Sequence, residues 1–282
     1  MPEWRTASER SWLRHASYLT LRPATISSAW RLYTALLVSA IHKAIRPRVP
    51  VNVGKNLSGH EPLLLRFRGW TVAARPGTDD LWYWTAGHKR ATEEWFAPTP
   101  GDVVVDVGSG VGYFALVAAA SGGKVWAFEP CPGTCALLIE IVRANNLPTI
   151  RVDGRALGKS ATSAVIYECA ENPGMASLNS GWVGPNTHGP IVGHPIRVET
   201  LDTVMIEYSL QGIDWLLLDV EGSELAVLEG AARALEVTRR IIIELSEPTR
   251  EDVTALLNER GFRQAAFALQ SARTAYGLFL RC

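Results

Sequence analysis

The stretch Val103-Val104-Val105-Asp106-Val107-Gly108-Ser109-Gly110-Val111-Gly112-Tyr113-Phe114 decides the fold of this chain. Three valines lead into an aspartate, three glycines follow at alternate positions, and residues 113–120 have a helical composition. This is the pattern of a buried parallel strand, a tight turn and a helix start, the arrangement that binds nucleoside cofactors. Glycines in the turn let the backbone approach such a ligand closely. The loop residues expected to contact it are Asp106, Gly108, Ser109, Gly110, Gly112 and Tyr113.

A second strand, residues 124–128, ends at Glu129, where a carboxylate can accept hydrogen bonds from both ribose hydroxyls. The nicotinamide fingerprint is G-x-G-x-x-G without an acid two residues before its first glycine. Here the spacing is G-x-G-x-G and Asp106 precedes it. A carboxylate at that point would repel a pyrophosphate but attracts an ammonium or a sulfonium group. The sequence therefore predicts S-adenosylmethionine as the cofactor.

Two further strands end in polar residues. Residues 150–152 lead into Asp153, Gly154, Arg155 and Ala156, and of these Asp153, Arg155 and Ala156 are expected to border the adenine. Residues 214–218 form an apolar run that ends at Asp219. Ligands bind at the carboxyl ends of strands in open α/β sheets. We therefore predict that Asp219 lies beside the methionine end of the cofactor or beside the acceptor.

Methyl transfer to an alcohol requires that the hydroxyl lose its proton. Glu221 and His88 are the candidate bases, although Glu221 also fits a carboxylate that interacts with a helix N-terminus and His88 a surface histidine. Asp219, Glu221 and Glu244 can supply oxygen ligands for Mg²⁺. The Asp-Asn or Asp-Asp pair that metal-dependent O-methyltransferases place after the next strand is absent, so no metal is predicted.

Strands alternate with helices along the chain, which predicts an α/β fold. We expect a seven-stranded Rossmann-like sheet, mostly parallel with one antiparallel strand, and helices on both faces. A hairpin is predicted at residues 63–73, and an irregular, partly ordered lid at the Gly-, Pro- and Asn-rich residues 171–196, followed by an extended segment at residues 196–198. The predicted domains are a helical extension, residues 1–60, and a methyltransferase domain, residues 61–282.

The extension is basic, with nine Lys or Arg against two Glu in residues 1–60. Residues 26–45 predict a helix with two faces. Ser28, Arg31, Ala35, Ser39, His42 and Arg46 share one face, and Trp30, Tyr33, Leu37 and Ile41 lie on the other. We expect residues 26–46 to pack on the main domain or on a second subunit. Binding to an anionic membrane surface is the alternative.

Composition narrows the choice of function. The 282 residues are 47% apolar, enough for a substantial core, and the net charge of zero disfavours a dedicated nucleic-acid binder. No secretory signal opens the sequence, which predicts a cytoplasmic protein, with a peripheral membrane location as the alternative. Four cysteines without a C-x-x-C pair or zinc-site spacing are expected to be reduced.

Residues 60–282 resemble the FkbM family of S-adenosylmethionine-dependent methyltransferases. The resemblance implies the seven-stranded class I methyltransferase fold and O-methylation of a hydroxyl on a sugar or a polyketide-type product. The chain carries His88-Lys89 where many relatives have a Tyr-Glu pair, so the acceptor side departs from the family pattern. The matching segments are Arg75-Pro76-Gly77-Thr78-Asp79-Asp80, residues 100–108, Phe128-Glu129-Pro130, Ala156-Leu157-Gly158, Glu199-Thr200-Leu201-Asp202 and Asp219-Val220-Glu221-Gly222-Ser223-Glu224-Leu225.

The favoured function is O-methylation of a glycan or a hydroxylated secondary metabolite. An RNA methyltransferase that holds phosphates with its basic N-terminal segment is a second hypothesis. The lack of an Asn-Pro-Pro-Tyr type motif after the fourth strand argues against base-nitrogen methylation. A scaffold without catalysis is a third hypothesis, and Asp106, Glu129 and Asp219 argue against it, since a protein that binds no cofactor has no need of them.

Overall fold

The computed structural model describes residues 18–46, 52–85, 90–186, 189–247, 249–271 and 274–282. Packing divides the chain into two compact units. The first comprises residues 1–90 and 170–174, and the second comprises residues 91–169 and 175–282. The hairpin after residue 60 therefore lies in the same unit as the N-terminal helix. The domain boundary between residues 60 and 61 stays a prediction.

The first unit contains one long helix and a small sheet. The predicted helix is confirmed over Ile26–Ile45, and the side chain of Thr25 caps it by accepting a hydrogen bond from Ser28 N. The predicted hairpin is also confirmed, with Arg68 and Gly69 at positive φ in its two-residue turn. Its described elements are β1 (Arg22–Pro23), α1 (Ile26–Ile45), β2 (Leu63–Phe67), β3 (Trp70–Ala74) and α2 (Asp80–Tyr83), with 3₁₀ turns at Tyr18–Thr20 and Val53–Asn56.

The second unit alternates strands and helices. Two of its elements begin in the first unit, α3 by one residue and β9 by three. The described elements are α3 (Arg90–Trp95), β4 (Val103–Val107), α4 (Tyr113–Ala120), β5 (Lys124–Phe128), α5 (Pro132–Ala144), β6 (Ile150–Asp153), β7 (Ala156–Leu157), β8 (Thr162–Cys169), β9 (Asn172–Ser177), α6 (Ser180–Asn186), β10 (Ile191–Glu199), α7 (Leu201–Glu207), β11 (Ile213–Leu218), α8 (Glu224–Glu229), α9 (Ala232–Glu236), β12 (Thr238–Ser246), α10 (Arg250–Glu259), β13 (Phe262–Leu269) and β14 (Thr274–Arg281).

Seven of these strands form the main sheet in the order β13-β14-β12-β11-β4-β5-β6. Strand β14 runs antiparallel to both of its neighbours, and the pairs from β12 to β6 are parallel. The central strands β4, β11 and β12 are apolar runs buried against one continuous core, as expected for parallel strands covered on both faces. The predicted sheet, with one reversed strand, is confirmed.

The irregular lid predicted at residues 171–196 is wrong. These residues form β9, α6 and the first part of β10, and β10 belongs to a second sheet of order β7-β10-β8-β9. Strand β10 pairs antiparallel with β8 from Ile191–Cys169 to Val198–Thr162. This long pairing overrides the loop-like composition, because strand formation depends on the neighbouring strand more than on intrinsic propensity.

Candidate active site

Backbone hydrogen bonds join the carboxyl ends of three central strands. Gly108 N and Ser109 N both donate to Phe128 O at 3.0 Å, which ties the loop after β4 to the end of β5. Asp219 N donates to Val107 O at 3.0 Å, which ties the end of β11 to the same point. The residues after these strands therefore meet at one edge of the sheet, where open α/β folds bind ligands.

Two glycines of the loop have different roles. A Cβ atom at Gly108, where φ is +79°, would lie 1.9 Å from Asp219 O. The close approach of the residues that follow the neighbouring strands β4 and β11 therefore requires glycine at this position. Gly110 also has a positive φ of +55°, but a Cβ atom there would meet nothing within 4 Å. The backbone at Gly110 thus faces open space, as a loop that approaches a cofactor must.

Two carboxylates are fixed at this loop. Asp106 is 3% exposed and accepts a hydrogen bond from Ser109 Oγ at 2.7 Å. Glu129 is also buried, and its two oxygens accept from Gly110 N at 2.9 Å and from Cys131 N at 2.8 Å. Backbone donors therefore hold Glu129 beside the glycine loop, the position from which we predicted that it binds the ribose.

Gly112 and Tyr113, which were also predicted to contact the cofactor, pack against protein groups instead of facing open space. Tyr113 is 5% exposed, and its hydroxyl donates to Glu93 Oε2 at 2.6 Å. A Cβ atom at Gly112, where φ is +91°, would lie 2.4 Å from the Leu138 side chain. Both positions shape the start of α4 through contacts with protein groups.

Asp153 and Arg155, predicted to border the adenine, bind each other. Arg155 Nη2 lies 2.6 Å from Asp153 Oδ2, Tyr208 Oη donates to the same carboxylate at 2.5 Å, and Arg155 Nη1 bonds Glu207 at 2.7 Å. Burial raises the pKa of Asp153, but the hydrogen bonds from Arg155 and Tyr208 outweigh it and hold that pKa below its usual value. Ala156 packs in the apolar cluster of the small sheet.

A cavity of about 700 Å³ opens beside these residues, beyond the ends of β5 and β6. Its wall includes Pro130, Cys135, Gly154, Arg155 and Ile196. Burial, followed by the charges of Glu129 and Asp153, raises the pKa of the Cys135 thiol to about 11, so this thiol is neutral near pH 7. The volume lies within the usual range for a bound small molecule.

Three carboxylates meet at the ends of β11 and β12. One oxygen each of Asp219, Glu221 and Glu244 lies within 4.8 Å of the others. The hydroxyl of Tyr276, on β14 opposite Glu244, donates to Asp219 Oδ2 at 2.9 Å. Burial, followed by the charges of Asp219, Glu244 and Glu221, raises the pKa of Tyr276 well above its ordinary value. The phenol therefore keeps its proton and remains a donor to Asp219.

Glu221 is held in an unusual backbone conformation. Its φ is +51°, which is uncommon for a residue with a side chain. Ser177 Oγ donates to Glu221 O at 2.7 Å, and Trp182 Nε1 donates to Glu221 Oε2 at 3.0 Å. Residues of β9 and α6 thus fix both the backbone and the carboxylate of Glu221, although the sequence predicted no regular structure there.

Glu224 lies behind this turn. It is 0% exposed, and its Oε1 accepts from Gly222 N at 3.1 Å and Val220 N at 3.3 Å. Burial, with a smaller contribution from the charge of Asp219, raises the pKa of Glu224 to about 7. Glu224 therefore stabilises the turn that carries Glu221 from inside the protein.

Two groups in the described part of the chain have a composition that can hold a metal ion. Asp219, Glu221 and Glu244 form one, and Cys131, Glu168 and His194 form another with ligand atoms also within 4.8 Å. In the second group, His194 Nε2 lies 3.0 Å from Glu168 Oε2. The prediction that the enzyme uses no metal stays a prediction, and His88 lies outside the described residues.

The structure brings Asp219 and Glu221 together, as the sequence predicted, and adds residues that the sequence did not single out. The additions with direct contacts to this turn or to Asp219 are Ser177, Trp182, Glu224 and Tyr276. Tyr276 could have been predicted at this site only if the pairing of β14 with β12, which sets Tyr276 opposite Glu244, had been known. No local pattern points to Trp182, because its contact with Glu221 spans 39 residues.

Comparisons with known proteins identify the family to which this chain is similar. The FkbM methyltransferase domain model matches residues 106–264. The methyltransferase sdnD of Sordaria araneosa is 27% identical over 56% of this chain and 73% of its own length. The hexuronic acid methyltransferase AglP of Haloferax volcanii is 29% identical over 56% of this chain and 62% of its own length. The 31-O-demethyl-FK506 methyltransferase FkbM of Streptomyces tacrolimicus is 31% identical over 59% of this chain and 75% of its own length.

The matched segment runs from the aspartate before the glycine loop into β13, and it therefore contains most of the edge at which the cofactor residues and the carboxylates lie. The predicted class of enzyme and the predicted cofactor, S-adenosylmethionine, are both supported. This chain belongs to the FkbM family of methyltransferases.

Proposed function

We propose that this enzyme transfers the methyl group of S-adenosylmethionine to a hydroxyl oxygen of a sugar or a hydroxylated secondary metabolite. The observation that carries the proposal is the pair Asp219 and Glu221, fixed at the strand edge that also holds the glycine loop. The names of two relatives, which specify a hexuronic acid and a demethylated FK506, support an oxygen acceptor of this class.

In the proposed complex, Gly108, Ser109 and Gly110 border the methionine and ribose, and Glu129 binds the ribose hydroxyls. The open space at Gly110 supports this placement. Adenine occupies the cavity beside Pro130 and Gly154. Asp153 also lines this cavity, but its carboxylate accepts hydrogen bonds from Arg155 and Tyr208. We therefore assign the main adenine contact to the apolar part of the cavity wall.

The proposed reaction is an in-line displacement. Bound S-adenosylmethionine would supply the methyl group, with a bond from the acceptor oxygen to the methyl carbon replacing the carbon–sulfur bond and the electron pair remaining on the sulfur of S-adenosylhomocysteine. The proton of the acceptor hydroxyl passes to the Glu221 carboxylate. Asp219, oriented by Tyr276, positions the acceptor against the methyl group, and such positioning supplies most of the rate in a displacement of this kind.

Paired substitutions test these roles. Glu221→Gln keeps an acceptor for Trp182 Nε1 but removes the base, so turnover should fall while affinity for S-adenosylhomocysteine stays near wild type. Its defect should shrink as pH rises and hydroxide replaces the base. Asp219→Asn should lower turnover at every pH. Full turnover of Glu221→Gln across the pH range would exclude Glu221, and His88 would be tested next.

The acceptor class is tested by label transfer. The purified enzyme is incubated with methyl-labelled S-adenosylmethionine and separate pools of glycans, lipids, polyketide-type alcohols and RNA. We expect base-stable label in an alcohol-bearing acceptor, consistent with a methyl ether. Label in RNA alone would replace this proposal with the RNA methyltransferase hypothesis. Binding of S-adenosylhomocysteine without any transfer would favour the non-catalytic hypothesis for the acceptor classes tested.

We also propose that the enzyme works in the cytoplasm. All four cysteines are free and three are buried, which supports a reducing compartment. Within the described residues, no helix combines the length and apolar character needed to cross a bilayer. Fractionation of cells that express the tagged chain tests this location, and recovery only from a secreted fraction would contradict it.

A further inference from the structure

One face of helix α1 carries large apolar side chains that are exposed. Six large apolar residues recur every three or four positions along it and are all at least half exposed. Ile26 is 92% exposed, Trp30 75% and Leu37 63%. Ile26, Trp30, Tyr33, Leu37, Ile41 and Ile45 form this exposed apolar stripe. A contiguous apolar surface of this kind on a folded protein marks an interaction site.

Hydrogen bonds on the opposite face fix this orientation. Ser28 Oγ accepts from Leu64 N at 3.2 Å, and Ser39 Oγ accepts from Asn56 Nδ2 at 2.8 Å. Arg31 donates to the carbonyl oxygens of Ser58 and Glu61, both at 2.7 Å. The opposite face, which also buries Leu32 and Leu36, is thus tied to other residues of the first unit. The apolar stripe therefore cannot turn inward without breaking several hydrogen bonds.

The charge of the first unit selects the partner. The first unit, residues 1–90 and 170–174, contains fourteen Lys or Arg and six Asp or Glu. The second unit contains fourteen Lys or Arg and twenty-two Asp or Glu. Residues 26–45 contain no Asp or Glu at all. Trp30 and Tyr33 are the side-chain types that favour the boundary between lipid headgroups and acyl chains. An exposed apolar stripe on a unit with a net positive charge is complementary to an anionic bilayer.

We propose that α1 binds in the plane of an anionic lipid bilayer through its exposed apolar stripe. The helix is about 30 Å long and inserts its apolar side chains at the level of the headgroups. A second copy of the chain is a poorer partner, because it would bring together two first units that each carry a net charge of +8. The basic residues and the stripe supply the two attractions that stable peripheral binding needs.

Vesicle co-sedimentation of the full chain tests the proposal. Vesicles of phosphatidylcholine with about one-third phosphatidylserine should bind wild-type protein, and pure phosphatidylcholine should bind it at least tenfold less. The triple substitution Trp30→Ser, Leu37→Ser, Ile41→Ser should weaken binding to the anionic vesicles by about tenfold or more. Raising the salt concentration should weaken the binding of wild-type protein as well.

A matched control removes three exposed apolar side chains from the acidic second unit, namely Ile206→Ser, Val237→Ser and Leu269→Ser. This control should bind anionic vesicles like wild type. Both triple variants should keep the circular dichroism spectrum and the S-adenosylhomocysteine affinity of wild type, which separates lost docking from lost folding. Equal vesicle binding by the stripe variant and wild type would overturn the proposal. The proposal would also be overturned if wild-type protein formed a dimer that does not bind vesicles and if the stripe substitutions made this dimer dissociate.

Discussion

The hydroxyl of Tyr276, on the reversed strand β14, donates a 2.9 Å hydrogen bond to Asp219, which follows the parallel strand β11. These two strands are not neighbours, since β12 lies between them. The bond therefore crosses over a strand that contributes its own carboxylate, Glu244, to the same cluster. The conformation of Asp219 depends on the most C-terminal strand of the sheet.

Tyr276→Phe removes this donor and little else. We expect turnover to fall about tenfold, because Asp219 loses the group that orients it, while S-adenosylhomocysteine affinity stays near wild type. The free energy of unfolding should fall by about 1 kcal/mol. Steady-state kinetics and urea unfolding measure the two effects. Tyr167→Phe on β8 serves as the control, and equal turnover of the two variants would show that the bond does not position Asp219.

Glu224 makes stability depend on pH. Its pKa rises from the ordinary 4.5 to about 7 on folding. Between these values the folded state keeps a proton that the unfolded state has lost, so stability falls as pH rises through this window and levels off above it. Glu224→Gln removes this dependence. Relative to wild type, the variant should gain about 3 kcal/mol between pH 4 and pH 8.

Urea unfolding at a series of pH values measures this gain. Glu236→Gln, at an exposed position on α9, is the control and should follow the wild-type pH profile within error. A Glu224→Gln profile parallel to that of wild type would mean that Glu224 titrates at its ordinary pKa in the folded protein.

Three glycine substitutions separate packing from ligand contact. Gly108→Ala should destabilise the protein by about 3 kcal/mol or more, because its Cβ would collide with Asp219 O. Gly110→Ala should cost only about 1–2 kcal/mol but should weaken S-adenosylhomocysteine binding at least tenfold. Gly101 also has a positive φ and open surroundings, but it lies away from the loop. The Gly101→Ala variant should therefore keep the wild-type affinity for S-adenosylhomocysteine. Unchanged calorimetric affinity of Gly110→Ala would place the ligand elsewhere.

Glu129→Ala should weaken both folding and binding. It leaves Gly110 N and Cys131 N without their acceptor, which costs about 1–3 kcal/mol of stability. Loss of the ribose contact should lower S-adenosylhomocysteine affinity by about tenfold to a hundredfold.

Asp202→Ala is the matched control for this variant. Asp202 also accepts from two backbone groups, Arg233 N at 3.0 Å and Ala234 N at 2.8 Å. It should therefore lose comparable stability but keep its affinity in calorimetry. If both variants bind S-adenosylhomocysteine equally well, Glu129 supports only the loop.

Sequence alone determined the elements whose information is local. The valine run before Asp106 and the apolar run before Asp219 predict buried parallel strands, because only strands covered on both faces are continuously apolar. Gly108 and Gly110 predict the tight turn. The bounds of α1 follow from the helical period of residues 26–45, and the turn at Arg68-Gly69 follows from its length between two apolar runs.

Tertiary structure alone decided what depends on partners distant in sequence. Strand β10 forms because β8 pairs with it, although its own residues are typical of a loop. Trp182 reaches Glu221 across 39 residues, and Tyr276 reaches Asp219 across 57. The helical period of α1 separates its two faces but does not determine which face is buried. That choice depends on the hydrogen bonds that Ser28 and Ser39 accept from Leu64 and Asn56. Local sequence sets conformational preference, whereas burial and long-range hydrogen bonds select among the preferred forms.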